Sequence, residues 1–267
     1  MKKLAYDYYM RISYSIPVEN CHFTIKCFPQ STDRQRVLTQ KIDISAQGYS
    51  EGRDGFGNRQ IYGGVESEHD IFVFHTAGEV ESGLSDYEEV AAEDRIGMFR
   101  HAHGCNMPGT GLRSYFEELV RAQVITDGQE DLQKSTALMH RLYQDFHYEK
   151  NKTTMSTTAE QAWQIGAGVC QDYAHILIAL CQMAGIPARY VTGMLIGEGA
   201  SHAWVEILAG DRWYPMDPTN DCIVTDSHIR IGTGRHAGDC LINRGIMHGG
   251  GDQTQEVRVT VTEMSYE

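Results

Sequence analysis

The second half of the chain is organised around the stretch Gly166-Ala167-Gly168-Val169-Cys170-Gln171-Asp172-Tyr173-Ala174-His175. Two glycines precede the cysteine, and the apolar run that follows, Ile176 to Ala184, stops at Gly185, with Pro187 just beyond. Glycine directly after a helical run, followed by proline, is the usual signal for the end of a helix. The pattern predicts a helix with Cys170 in its first turn, entered from a flexible loop.

The first turn of a helix is a favourable place for a reactive thiol. Its backbone N–H groups have no partner within the helix, and the positive end of the helix dipole lies there. Both effects favour a thiolate over a thiol. A nucleophile would use this position, whereas a structural cysteine has no need of it.

Length and composition limit the possible classes of protein. A chain of 267 residues is longer than a single hydrophobic core usually accommodates, so one large domain or two smaller domains are expected. A hydrophobic content of 41% with 22% charged residues is typical of a globular protein. The 23 basic and 36 acidic residues give a net charge of −13, which argues against nucleic acid or an anionic membrane surface as partner.

The N-terminal sequence and the cysteines predict a cytoplasmic protein. No apolar run follows Met1, and no segment approaches the roughly 20 apolar residues of a membrane helix. An odd number of irregularly spaced cysteines without an export signal favours free thiols in a reducing compartment. The sequence contains no CxxC pair, so a structural zinc site has little support. The seven cysteines are Cys21, Cys27, Cys105, Cys170, Cys181, Cys222 and Cys240.

Residues 1–110 are predicted to form an antiparallel β-sandwich domain. Short runs rich in β-branched and aromatic residues alternate with turn signals, and no catalytic residue types come together here. The turn signals include Ile16-Pro17 and the hairpin sequence Asp54-Gly55-Phe56-Gly57-Asn58. The predicted strands are Tyr8 to Tyr14, Phe23 to Phe28, Val37 to Ile44 and Ile71 to His75.

Residues 111–267 are predicted to form a second, α+β domain. Helical signals begin near Leu112, and Asp127 with Glu130 has the spacing of a capping box. A second box is offered by Thr157 with Glu160 or by Thr158 with Gln161. Alternating patterns then predict an antiparallel meander packed on the Cys170 helix. Its strands are Arg189 to Ile196, Ser201 to Leu208 and Arg212 to Asp217, and a further strand is predicted at Val257 to Val261.

Three residues of this second domain fit the roles of a thiol-dependent acyl transfer. Cys170 is the candidate nucleophile, His202 the base and acid, and Asp217 the group that orients the histidine. His202 lies among the first residues of one predicted strand and Asp217 ends the next, so a hydrogen bond between them is expected. The oxyanion would be met by backbone N–H groups including that of Cys170, and the sequence does not identify a second donor.

Nearby residues offer weaker assignments. His175 is closer in sequence to Cys170 but lies five residues along the helix and points away. Asp172 could orient the histidine, although the helix dipole is sufficient to explain an acid in the first turn. Cys181 is interpreted as a core residue. We therefore assign structural roles to these three.

A metal site is the third alternative. His101-Ala102-His103-Gly104-Cys105 has soft and borderline ligands, but residues two apart converge on one ion only in an extended strand. Solvated loop histidines are the simpler interpretation. A metal site would need those residues to meet the later candidates, which are His228, His236, Cys240 and His248.

Four blocks of the second domain resemble the bacterial transglutaminase-like family, whose members are often described as cysteine proteases. The blocks occur in the family's order. They are Gly168 to His175, Gly185 to Gly193, Ser201 to Glu206 and Asp217-Pro218-Thr219-Asn220. The early strands resemble the β-sandwich that precedes the core in these proteins, and residues 234–261 resemble the family's closing segment. One departure is visible: Gly234-Arg235-His236-Ala237 stands where the family usually has Gly-Arg-Asp-Tyr, which affects a local contact or the pocket edge.

The resemblance implies a papain-like α+β core with a Cys-His-Asp triad carried by Cys170, His202 and Asp217, and no metal or organic cofactor. The expected function is attack on a peptide or protein amide through a thioester, most simply hydrolysis. Transfer of the acyl group from glutamine to an amine, as in protein cross-linking, is the alternative, since the fold does not fix the acceptor. A non-catalytic binding module is the other alternative, although such a chain would be expected to have lost one of the three residues.

Overall fold

The computed structural model describes residues 1–90 and 96–265, which contain four α-helices and two large antiparallel sheets. The helices are α1 (Thr110–Arg121), α2 (Asp131–Asp145), α3 (Ala159–Ile165) and α4 (Cys170–Met183). The strands are β1 (Lys2–Ile25), β2 (Gln35–Ile44), β3 (Ser50–Arg53), β4 (Arg59–Val65), β5 (His69–Ser82), β6 (Glu88–Glu89), β7 (His147–Tyr148), β8 (Ala167–Gly168), β9 (Ala188–Leu195), β10 (Gly197–Gly199), β11 (His202–Ala209), β12 (Arg212–Asp217), β13 (Cys222–Ile223), β14 (His228–Gly234), β15 (Asn243–Gly249) and β16 (Gln253–Glu263). None of the helices in these two ranges is both long and apolar enough to span a membrane.

Helix α4 is the centre of the second half of the molecule. It begins at Cys170 and ends before Gly185, whose φ of +80° is the left-handed conformation that glycine adopts easily. The Asp172 carboxylate accepts a hydrogen bond from the Val169 N–H at 2.8 Å and so caps the first turn. Nearly every residue of the helix is buried, because other elements pack on all its sides. The predicted helix and the place of Cys170 in it are confirmed.

A six-stranded antiparallel sheet packs against α4. Its strand order is β13-β12-β11-β9-β14, and β6 also pairs with β12. The predicted meander is confirmed as β9, β11 and β12. Strand β14 was not predicted from the sequence, and it borders β9 on the side away from β11. Apolar side chains of α4 and of this sheet form one core with the other three helices.

The first half of the chain forms most of an eight-stranded sheet built on β1. The predicted turn at Ile16-Pro17 is wrong, because both residues lie within β1. A shift in strand register does occur there, between Ser13 and Val18 on the side of β5. Proline lacks an N–H group and is tolerated at such an irregularity. Beyond it, β1 pairs with β4 and β15, so the sheet is continuous and strongly curled.

The end of the chain completes this N-terminal sheet. Strand β16 pairs with β1 from Leu4–Glu263 to Tyr14–Gln253, and β10 pairs with the outer edge of β16. The α+β fold class is confirmed, with antiparallel sheets and a helix-on-sheet core. The sequence division at residue 110 stays a prediction, while the N-terminal sheet includes strands from both sides of it.

Local signals had mixed outcomes. The box of Thr158 with Gln161 is confirmed, since Gln161 N–H donates to Thr158 Oγ1 at 3.3 Å and Thr158 N–H donates to Gln161 Oε1 at 3.0 Å. The box at Asp127 is wrong: helix α2 begins after Glu130, whose N–H donates to Gln133 Oε1. The hairpin turn after β3 is confirmed, with the Gly57 N–H donating to the Asp54 carbonyl at 3.0 Å.

The two sheets share a core. Met194 on β9 and Ile229 and Ile231 on β14 are buried among the apolar side chains of the N-terminal sheet. Strand β10, which pairs with β16, leads after two residues into β11. The N-terminal sheet is therefore held against the side of the molecule that carries His202.

Candidate active site

The structure brings Cys170, His202 and Asp217 together where three elements meet. Cys170 is the first residue of α4, His202 the first of β11 and Asp217 the last of β12. Antiparallel pairing sets Val205 opposite Met216, which places Asp217 beside the start of β11. The expected hydrogen bond is present, with 2.7 Å between His202 Nε2 and Asp217 Oδ2.

The other side of the His202 ring faces the cysteine. Cys170 is partly exposed, interacts with His202 and lines the same cleft. Because Asp217 occupies Nε2, Nδ1 is the ring nitrogen left for Cys170. Burial alone would lower the pKa of His202, but the hydrogen bonds to Asp217 and Cys170 raise this pKa to about 10. The site therefore favours the protonated form of His202, an imidazolium, beside Cys170.

Asp217 is fully buried and accepts hydrogen bonds at both oxygens. Oδ2 accepts from His202 Nε2 at 2.7 Å, His228 Nε2 at 3.1 Å and Asn220 Nδ2 at 2.7 Å. Oδ1 accepts from the backbone N–H groups of Thr219 at 3.0 Å and Asn220 at 3.3 Å. Burial would raise the pKa of Asp217, but the donors, with His202 foremost, hold this pKa well below its usual value. The carboxylate is thus kept ionised and fixed in position.

His228 is a second histidine on the same carboxylate, and sequence reasoning did not assign it there. It is the first residue of β14 and is 7% exposed. Burial lowers its pKa, so the ring is neutral and donates its Nε2 proton to Asp217. In the sequence, His228 was considered only as a candidate metal ligand. Its position beside Asp217 was missed because β14 was not predicted.

Trp204 packs the two histidine rings from the sheet side. Its ring lies 5.3 Å from His228, edge to face, and 6.3 Å from His202. The space for it is provided by Gly193, which pairs with His202 between β9 and β11. A Cβ atom at residue 193 would lie 2.3 Å from the Trp204 ring and 2.3 Å from the Ile229 carbonyl oxygen.

The residues assigned structural roles have other contacts. Asp172 accepts from Thr153 Oγ1 at 2.6 Å in addition to capping α4. His175 is fully buried, and its Nε2 accepts from the Ala237 N–H at 3.1 Å. Burial lowers the pKa of His175 to about 3, so its ring is neutral. Cys181 is buried in the core around α4.

The segment that departs from the family pattern lies at the edge of the cleft. Ala237 lines the cleft, and Arg235 forms an ion pair with Asp239 at 2.9 Å. The His236 ring stacks on that of His103, with 5.6 Å between their centres. The departing segment therefore contributes Ala237 to the wall of the cleft.

The seven candidate metal ligands do not form one cluster. His228 is hydrogen-bonded to Asp217, and the exposed His248 contacts Glu19. Within residues 1–90 and 96–265, the group of three potential ligands is His202, Asp217 and His228, whose ligand atoms lie within 4.8 Å of one another. Two nitrogens and a carboxylate oxygen suit Zn²⁺, but the 2.7 and 3.1 Å separations are those of hydrogen bonds.

A cleft of about 530 Å³ opens above Cys170 and His202. One side is formed by the start of α4, the start of β11 and residues 237–241. The opposite side comes from the N-terminal sheet through Tyr8, Asn243 and Val257. Both sheets therefore contribute to the surface that a substrate would meet.

Two family models match the chain. Residues 4–81 match the bacterial transglutaminase-like N-terminal region, and residues 119–218 match the transglutaminase-like superfamily. The second range contains Cys170, His202 and Asp217. The order of the two matches is that of the predicted β-rich region and core, so the resemblance seen in the sequence is confirmed.

Two relatives and a solved structure are also similar to this chain. An uncharacterized protein of Mycobacterium tuberculosis (strain H37Rv) is 28% identical over 250 residues, which cover 82% of this chain and 79% of the relative. One of Mycobacterium leprae is 39% identical over 108 residues, or 37% of this chain and 38% of the relative. A crystal structure from Cytophaga hutchinsonii, reported as a candidate cysteine protease, has a TM-score of 0.79 at 19% identity and covers 100% of this chain and 92% of that chain. At this identity the likeness shows the fold.

Proposed function

Because the chain belongs to the bacterial transglutaminase-like family, we propose that it is a thiol-dependent enzyme that hydrolyses peptide or other amide bonds. The observation that carries the proposal is the series of contacts that runs from Cys170 through His202 to the buried Asp217. Cys170 and His202 line a cleft large enough for a few residues of a peptide. Nucleophile, proton carrier and orienting carboxylate are the three components that acyl transfer needs.

The first half of the reaction forms a thioester. The Cys170 thiolate attacks the amide carbonyl carbon, and the carbonyl oxygen becomes an oxyanion. The first N–H groups of a helix have no partner within the helix, so the backbone N–H of Cys170, the first residue of α4, can donate to this oxyanion. The imidazolium of His202 then gives its Nδ1 proton to the amine as the C–N bond breaks. Asp217 holds the ring so that Nδ1 faces the reaction.

The second half returns the enzyme to its starting state. Neutral His202 takes a proton from water, and the resulting hydroxide attacks the thioester carbonyl. The C–S bond then breaks, which releases the carboxylic acid and restores the thiolate beside an imidazolium. Water is favoured over an amine because no carboxylate lines the described part of the cleft, so nothing there concentrates a lysine ammonium group.

Cys170 is the first residue to test. We expect Cys170→Ala to abolish amide turnover, because the nucleophile is lost, while the variant stays folded. In the wild type, iodoacetamide at neutral pH should label Cys170 faster than any other cysteine, measured by mass spectrometry of the labelled peptides. Burial raises the pKa of Cys105 and of Cys222, so these partly exposed thiols should react more slowly.

Cys105→Ala is the matched control and should keep the wild-type rate. Equal labelling of all partly exposed cysteines, or amide turnover that survives in Cys170→Ala, would refute the assignment. The acceptor is identified by incubating glutamine-containing and ordinary peptides with and without a primary amine. Hydrolysis gives the acid in both cases, whereas amine incorporation that exceeds hydrolysis would identify a transferase.

We also propose a cytoplasmic location. All seven cysteines are unpaired, as expected for a protein kept in a reducing compartment. Fractionation of the natural host's cells tests this location, and recovery of the protein in an exported fraction would contradict it.

A further inference from the structure

We propose that the cleft selects an uncharged, mainly apolar stretch of peptide, and that the N-terminal sheet makes this selection. The inference rests on the proposed amide chemistry, which it refines by naming the class of substrate. Of the described residues that line the cleft, none is an aspartate, glutamate, lysine or arginine. In a chain with a net charge of −13, a neutral lining of this size is a distinct local property.

Strand alternation on β16 separates neutral from charged side chains. Gln255 and Val257 line the cleft, whereas Glu256 and Arg258 lie between and beyond them on the other face. There the Arg258 guanidinium lies over the Tyr9 ring, 4.6 Å from its centre. The strand thus carries both charges of this segment away from Cys170.

The neighbouring strands show the same separation. On β1, Tyr8 lines the cleft, while Asp7 contacts His75 on the other face at 2.8 Å. At the start of β15, Asn243 lines the cleft, whereas Arg244 is not among the lining residues and donates to the Gly238 carbonyl at 2.9 Å. Three strands, one near the start of the chain and two near its end, therefore contribute neutral residues to the cleft lining.

The opposite wall is also neutral and mostly apolar. It includes Met155, Tyr190 and Leu241, and the cationic group in the cleft is the His202 imidazolium. A charged substrate side chain bound between these walls would lose water without gaining an aspartate, glutamate, lysine or arginine as partner, which is unfavourable. An apolar side chain would instead gain from burial.

The N-terminal wall is held in a fixed relation to the site. Strand β10 pairs with β16 through Gly199 and Val259, and Ala200 and Ser201 then lead directly to His202. A shift of β16 would therefore also shift the approach to His202. This connection makes the wall part of the substrate site.

Peptidyl acyloxymethyl ketones provide a test that does not require turnover. The Cys170 sulfur forms a bond to the methylene carbon, and the carboxylate leaves as the C–O bond breaks. Three probes of equal length would carry leucine, lysine or glutamate next to the ketone. We expect the leucine probe to inactivate at least about ten-fold faster than either charged probe, because only the charged side chains lose hydration without compensation.

A designed change of the wall provides the second arm. Asn243→Asp combined with Gln255→Glu adds two carboxylates with little change of shape. The rate with the lysine probe should rise about ten-fold over wild type, while the glutamate probe becomes slower still. Gln47→Glu, on an exposed loop of the same sheet, is the matched control and should change none of the three rates.

The outcomes separate this inference from the proposed function. Equal rates for the three wild-type probes, or no effect of the double variant, would refute the neutral cleft while leaving the thiol chemistry intact. Failure of every peptide probe, with normal iodoacetamide labelling of Cys170, would also refute it. Absence of amide turnover with selective probe labelling would instead refute the hydrolase function and leave the cleft assignment standing.

Discussion

At the scale of single residues, the second histidine on Asp217 gives the site a property that a simple triad lacks. His228 donates a hydrogen bond to the same carboxylate oxygen that accepts one from His202, and the His228 ring is neutral and buried. Each donor to Asp217 lowers the pKa of this carboxyl. His228 is therefore a positioning residue, which acts on His202 through Asp217.

We expect His228→Leu to lower kcat about ten-fold, since a hydrogen bond to a charged group contributes about 1.5–3 kcal/mol. The pKa of Asp217 lies below its unfolded value, so its contribution to stability exists above that value and is lost as pH falls. Without His228 this pKa rises. The acid limb of the kcat/KM profile should therefore move to higher pH.

His228→Gln, which keeps an N–H donor, should restore most of kcat, and His248→Leu, at an exposed histidine, is the control. A pH–rate profile of His228→Leu that overlays the wild type would show that the second histidine serves only packing.

At the scale of elements, the sequence predicted what short-range chemistry determines. Gly185 with Pro187 ended α4, Thr158 with Gln161 began α3, and alternation gave β9, β11 and β12. The sequence did not reveal that β1 runs through Ile16-Pro17, because β1 is held on each side by strands distant in sequence. Strand β14 was missed for the same reason, and with it the position of His228.

Strand packing behind the site depends on Gly193. A methyl group there would meet the Trp204 ring and the Ile229 carbonyl, neither of which can move without separating β9 from its neighbours. We expect Gly193→Ala to lower the free energy of unfolding by about 1–3 kcal/mol and to slow turnover, because Trp204 would press on the His202 and His228 rings.

Urea denaturation monitored by tryptophan fluorescence measures the effect. Gly128→Ala is the matched control, since a Cβ there meets open space, and it should lie within about 0.5 kcal/mol of wild type. A stable, fully active Gly193→Ala would show that the contact between β9 and Trp204 is loose.

At the scale of the whole molecule, the site could be predicted more fully than its setting. Cys170, His202 and Asp217 lie within 48 positions of one another in a segment with strong local patterns. The cleft wall needs β16 to reach β1, a pairing between residues near opposite ends of the chain. Periodicity identifies a strand at Val257 to Val261 but contains no information about its partner.

This long-range pairing predicts how the chain responds to division at residue 110. The fragment 111–267 keeps all three site residues but loses β1, so β16 would lack its partner from Leu4 to Tyr14. Val259 and Val261, now buried, would become exposed, at a cost of about 1.5–3 kcal/mol each. Strand β10 would then be paired with an unsupported strand, and the segment that leads from β10 to His202 would no longer be fixed.

We expect the fragment 111–267 alone to show no cooperative thermal transition and no preferential labelling of Cys170, whereas co-expression with fragment 1–110 should restore both. A fragment 111–267 that unfolds cooperatively and is labelled at Cys170 as fast as the intact chain would show that the catalytic domain is independent, as the sequence division at residue 110 predicts.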